Sequence, residues 1–207
     1  MSVTRRCILA GSLVLPAAAA VGLTSTAARA NTSRAQVEIG WNRKVLSEQT
    51  NCTLLNHDVE LTAVEPAELT TDTPRPGVHY PVGEGDISLD LQSGSVTFEG
   101  GFRLQTSDTA IEVFDFTADL SSGTATAEIR TGSGSCERVE VFAFDITEAE
   151  VDLVPPEITV AELPLYARQP FVEAVNQTFG VALLAEDSVF AHDAAAASQL
   201  DLADGLL

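Results

Sequence analysis

The stretch "GDISLDLQSGSVTFEGGFRLQTSDTAIEVFDFTADL", residues 85–120, carries an apolar side chain at nearly every second position. Ile87, Leu89 and Leu91 share one face, Gly94 offers a turn, and Val96, Phe98, Gly100, Phe102 and Leu104 share a face again. A period of two is that of a strand whose side chains alternate between a buried and an open side. Two paired antiparallel strands are therefore expected. Gly100 falls on the apolar face, which marks a bend or a closely packed neighbour. In "AIEVFDFTADL" the alternation slips between Val113 and Phe114, as at a bulge or in a strand covered on both sides. No histidine, cysteine or lysine occurs in the stretch, so reactive chemistry has to come from elsewhere.

Toward the amino terminus, Val37, Ile39 and Trp41 alternate as in a strand. "NRKVLSEQT" reads as a short helix, "DVELTAVEPAEL" as extended chain, and "TTDTPRPGVHYPVGEGD" as a loop by its proline and glycine content. Toward the carboxyl terminus, "RVEVFAFDI" is apolar on both faces and reads as a central strand. Ala149, Val151 and Leu153, then Ile158 and Val160, alternate on either side of Pro155-Pro156, which predicts a hairpin. In "PFVEAVNQTFG" Phe171, Val175 and Phe179 recur at helical spacing, with Pro170 suited to the first turn and Gly180 to the carboxyl cap. Seven or more short strands with one or two short helices predict a mainly β fold, an antiparallel β-sandwich, over residues 31–190. Residues 191–207 read as an acidic tail, frayed or weakly helical.

Residues 1–30 place Arg5 and Arg6 before an apolar run and end on the small-residue pattern Ala28-Arg29-Ala30, the form of a signal peptide cleaved after Ala30. Thr4-Arg5-Arg6-Cys7-Ile8-Leu9 is similar to a twin-arginine signal, with ordinary secretion the second choice. The run is short and rich in glycine and alanine, unlike a membrane anchor, so no membrane span is expected once it is removed. Cys7 has no lipobox before it. The expected location is secreted or cell-envelope associated.

Beyond Ala30 two cysteines remain, Cys52 and Cys136, and an even count in an exported chain reads as one disulfide. Closing so long a loop would contribute roughly 4 to 5 kcal/mol in the chain-entropy account. A metal site on these two would need ligands that the three histidines do not supply, and no Asp-x-Asp-x-Asp-Gly calcium loop occurs. All 30 acidic residues lie beyond Ala30 while three of the 11 basic ones lie before it, so the remaining chain sets 8 against 30, a formal charge of −22. Such a surface repels nucleic acid and anionic membranes and favours solubility.

The order "GVHYPVGEGDISLDLQSGSVTFEGGFRL", "IEVFDFTADLSSGTATAEI", "VEVFAFDITEAEVDL", "LPLYARQPFVEAVNQTFG" resembles the HtaA (haem transport associated) domain. In that family a Gly-Gly strand, a strand of leucine-Thr-Ala-Asp type and a late Ala-x-x-Phe helix follow in the same order. The resemblance implies a β-sandwich and, in the family, haem held by a tyrosine supported by a histidine. Those two groups are not evident here. "NRKVLSEQTNC" after Trp41 has no tyrosine, and "QTSDTAIEV" has no histidine.

The remaining candidates for ligand binding are His79, Tyr80 and Tyr166. His79 and Tyr80 are neighbours that could meet a ligand or serve as a packed anchor, and Tyr166 stands just before the helix. His57 and His192 are expected in solvent. Asp115 and Asp145 interrupt apolar strands and would form an acid and base pair only if burial raised one of them. No Gly-x-Ser-x-Gly elbow, phosphate loop or His-Glu-x-x-His occurs, so no catalytic set is complete. The reading that follows is an exported, non-enzymatic module that binds an unknown small ligand or a cell-envelope component, with no cofactor. Haem binding is the first alternative and a carbohydrate hydrolase the second.

Overall fold

The computed structural model describes residues 34–202 except 71, 133, 135, 155 and 156. The leader proposed for residues 1–30 lies outside them. The expected mainly β, antiparallel fold is present. Its strands are β1 (Arg34–Leu46), β2 (Glu60–Val64), β3 (Glu68–Thr70), β4 (Gly77–Ser88), β5 (Gly94–Gln105) and β6 (Ala110–Asp119). After them come β7 (Thr124–Thr131), β8 (Glu137–Ala143), β9 (Glu150–Val154), β10 (Glu157–Ala161), β11 (Leu163–Ala167) and β12 (Val189–Leu202). Helix α1 spans Glu48–Asn56 and helix α2 Gln169–Phe179.

Eight strands run in the order β1-β4-β5-β6-β7-β8-β11-β12, and β12 pairs with β1 to close the sheet into a barrel. Closure removes the two free edges that an open sheet would leave. β2 adds to β5, β3 to β4, and the β9–β10 hairpin branches from β12.

Three expectations about the elements change. Residues 191–202, read as a tail or weak helix, form most of β12, paired along its length with β1. Their alanines carry little strand propensity, so the ladder to β1 decides their state. The segment around "GVHYPVGEGD", read as a loop, is β4. Pro81 is tolerated there because β3 pairs with residues 77–79 and β5 with residues from Val82 onward, which leaves the proline opposite no second ladder. The expected helix also shifts: β1 continues to Leu46, and α1 starts after Ser47, whose side chain accepts from the Thr50 N–H.

The slip in β6 is a bulge between Phe114 and Thr117 that holds Asp115 at φ 55°. Gly100 stands at a bulge in β5 with φ 75°, where a Cβ would lie 2.5 Å from the Ala67 nitrogen and 2.6 Å from the Val64 oxygen. Only glycine permits that approach.

Five phenylalanines join the barrel to α2. Phe171 from the first turn of α2 is wholly buried and meets the rings of Phe102, Phe142 and Phe190 edge-on, at 6.2, 5.4 and 5.4 Å. Phe116 stacks on Phe102 and Phe142. Gly180 ends the helix in the left-handed conformation that its sequence position predicts. Phe179, expected on the buried face, is only half-buried. A second apolar cluster, which includes Val37, Val82, Ile87 and Ile158, is centred on β1, β4 and β10.

Cys52 on α1 and Cys136 before β8 are both free and exposed, so the expected disulfide is not formed. α1 packs on β12, and β11 stands between β12 and β8 in the barrel, which keeps the two thiols apart. The Cys136 sulfur instead accepts from the Arg130 Nε at 3.3 Å. Among the described residues no helix is long and apolar enough to cross a membrane.

Candidate functional site: a polar triad in an apolar cavity

Where the two apolar clusters meet, the barrel leaves a cavity of about 110 Å³. Phe98, Phe116 and Phe142 contribute to its wall, as do Val37, Ile158 and Leu165. Its polar side chains include Asn42 and Lys44 of β1 and Asp193 of β12. The Lys44 ammonium donates to Asp193 Oδ1 at 2.7 Å and to Asn42 Oδ1 at 2.9 Å, and Asn42 Nδ2 donates to Asp193 Oδ2 at 3.3 Å. The Lys44 and Asp193 side chains are only 11% and 7% exposed. Charges removed from water at this depth persist only when paired and hydrogen-bonded, and here each satisfies the other. Lys44 Nζ also lies 4.9 Å from the centre of the Phe98 ring and 5.8 Å from that of Tyr80.

None of these three was singled out from sequence, although Lys44 is the chain's sole lysine. The alternation of Val37, Ile39 and Trp41 puts Trp41 on the inner face. A register shift between Val37 and Ile39 reverses the phase, so that Asn42 and Lys44 turn inward and Trp41 is 44% exposed. Asp193 belongs to the segment read as a tail.

The three predicted binding residues are not brought together. His79 and Tyr80 are consecutive in β4 and point to opposite faces. Tyr80 is 1% exposed and packs edge-on against Phe116 at 5.6 Å, the packed-anchor alternative. Burial pushes its phenol far above the usual range, and the negative charge of Asp193 adds to this. His79 packs outside on Trp41, with ring centres 4.4 Å apart, beside Arg43 and Asp72. Partial burial and then the Arg43 charge lower its pKa. Tyr166 donates to Glu148 Oε2 at 2.8 Å, and this bond, ahead of burial, raises its pKa. His57 is exposed at the end of α1, whereas His192, expected in solvent, is half-buried in β12.

Asp115 and Asp145 are both exposed and do not form a buried carboxyl pair. Asp145 accepts from the Thr147 hydroxyl at 2.7 Å and from its N–H at 2.9 Å, capping a short 3₁₀ turn at Ile146–Glu148. Those bonds hold its carboxyl below the usual carboxylate range, opposite to what a general acid requires. Among the described residues no three histidine, cysteine or acidic side chains gather as a metal site.

No family model matches the chain, and no curated protein matches it. Among solved structures it is similar to the C-terminal domain of HtaA from Corynebacterium glutamicum, with a TM-score of 0.57 and 10% identity over 81% of this chain and 99% of that one. At that identity the likeness is one of fold, and the protein has a distant HtaA-like fold.

Proposed function

We propose that the protein is an exported, non-enzymatic binding module that holds a small, largely apolar ligand inside its barrel. The observation that carries this reading is the cavity. Eight-stranded barrels have interiors that are either filled by side chains or left able to hold one small ligand, and here the filling stops short at a polar triad. Export rests on the leader read from residues 1–30. The exposure of Asp115 and Asp145, with Asp145 held by Thr147, favours binding over hydrolysis.

Against haem, the ligand suggested by the family resemblance, stand the size of the barrel cavity and the state of the two tyrosines. The cavity of about 110 Å³ is smaller than the pockets of roughly 300 Å³ or more that take even drug-sized molecules. A tyrosinate ligand needs a lowered pKa, whereas Tyr80 is buried and Tyr166 bonds to a carboxylate, both of which raise it.

Two titrations of the protein lacking its leader test the reading. Benzene, which occupies an apolar cavity of about 150 Å³ in another protein, should raise the unfolding midpoint in a saturable way. Haem at micromolar concentration should give no saturable Soret shift. No response to benzene, together with a Soret shift abolished by Tyr166→Phe, would replace this reading with haem carriage.

A further inference from the structure

The triad selects within that ligand class, an inference that rests on the cavity's being a binding site. A lysine ammonium has three N–H donors. Lys44 spends one on Asp193 and one on Asn42, and among the described residues no hydrogen-bond acceptor takes the third. The amine itself borders the cavity beside the Phe98 ring. The Asp193 carboxylate already balances its charge, so the polar end of the cavity is neutral as a unit; the third Lys44 N–H is its charged unused donor, and the second Asn42 N–H is the weaker, neutral one.

We infer that the cavity takes a small neutral molecule with an apolar body and one acceptor oxygen, a ketone, ester or alcohol, which receives the free N–H of Lys44. A hydrocarbon would leave that donor without a partner. An anion would add an unbalanced charge beside the Asp193 carboxylate in a low-dielectric interior of a strongly acidic protein. The cavity volume confines the body to about the size of benzene.

Three probes with equal numbers of heavy atoms separate these classes: cyclohexanone, its hydrocarbon counterpart methylenecyclohexane, and pentanoate. Calorimetry on the intact exported chain should show cyclohexanone binding about tenfold more tightly than methylenecyclohexane, as one hydrogen bond from a charged donor predicts, with pentanoate weakest. Because Lys44 is the sole lysine, isotope-labelled lysine gives a single side-chain resonance, and cyclohexanone should shift it most. The combined change Lys44→Met, Asp193→Leu and Asn42→Leu removes both charges and the amide that bonds to them, so that no member of the triad is left stranded. It should bring the two neutral probes to within about twofold. Val160→Phe, which fills the cavity from β10, should weaken both neutral probes together.

Equal affinity for ketone and hydrocarbon in the unaltered protein overturns the role of Lys44 while leaving the binding module in place. Tightest binding of pentanoate replaces the neutral class with an anionic one. Failure of every probe removes the cavity as a binding site, and the inference with it.

Discussion

Lys44 and Asp193 are register partners across the β1–β12 seam that closes the barrel, and their side chains meet inside it, Nζ to Oδ1 at 2.7 Å. The pair therefore borders the cavity and ties together two strands from opposite ends of the chain. Its partners are worth most as a pair. Attraction between the two charges offsets the cost of taking both out of water, and removing one leaves that cost uncompensated.

Lys44→Met alone should destabilise the protein by about 3–5 kcal/mol, and the triple change Lys44→Met, Asp193→Leu and Asn42→Leu, which leaves no buried polar partner stranded, should recover most of the loss. Urea melts of the three proteins measure this. A single change that leaves the midpoint where it was would show that water reaches the pair.

Phe171→Ala should cost about 3–5 kcal/mol, because the ring is wholly buried among Phe102, Phe142 and Phe190. Phe179→Ala, at a half-buried position of the same helix, should cost clearly less. Equal losses in denaturant melts would contradict the orientation of α2.

Both thiols should react with an alkylating reagent in the native, non-reduced protein, since Cys52 and Cys136 are free and exposed. Replacing both by serine should leave the melting temperature unchanged. Protection of both thiols until a reductant is added would restore the disulfide that the cysteine count suggests.

Tyr80 makes stability depend on alkaline pH. The unfolded chain releases the phenolic proton near pH 10, whereas burial keeps it bound in the folded protein to well above that. Between those values the folded state holds more protons, so stability is full below about pH 10 and falls as pH rises beyond it. Tyr80→Phe should flatten the fall. In a Tyr166→Phe protein, where Tyr80 is the one tyrosine left, the tyrosinate absorbance should rise only as the chain unfolds. A reversible rise in the folded protein would place Tyr80 in contact with water.

The pairing of β9 with β10, the central strand through Val141 and Phe142, the bulge in β6, the bend at Gly100 and the helix ending at Gly180 were legible in sequence. Each is set by side-chain period, a turn residue or a missing Cβ, and these act within a few neighbours along the chain. The mainly β character of the protein follows from them. Closure did not follow, because residues 191–202 become a strand only by pairing with β1 some 150 positions away, a distance no local preference spans. The candidate site was hidden for the same reason. One register shift after Val37 exchanges the two faces of β1, turning Trp41 out and Asn42 and Lys44 in, and only the barrel then brings Asp193 to meet them. Composition and alternation determined what kind of sheet this chain builds; the long-range pairing of its two ends decided that the sheet encloses a cavity and which charges face it.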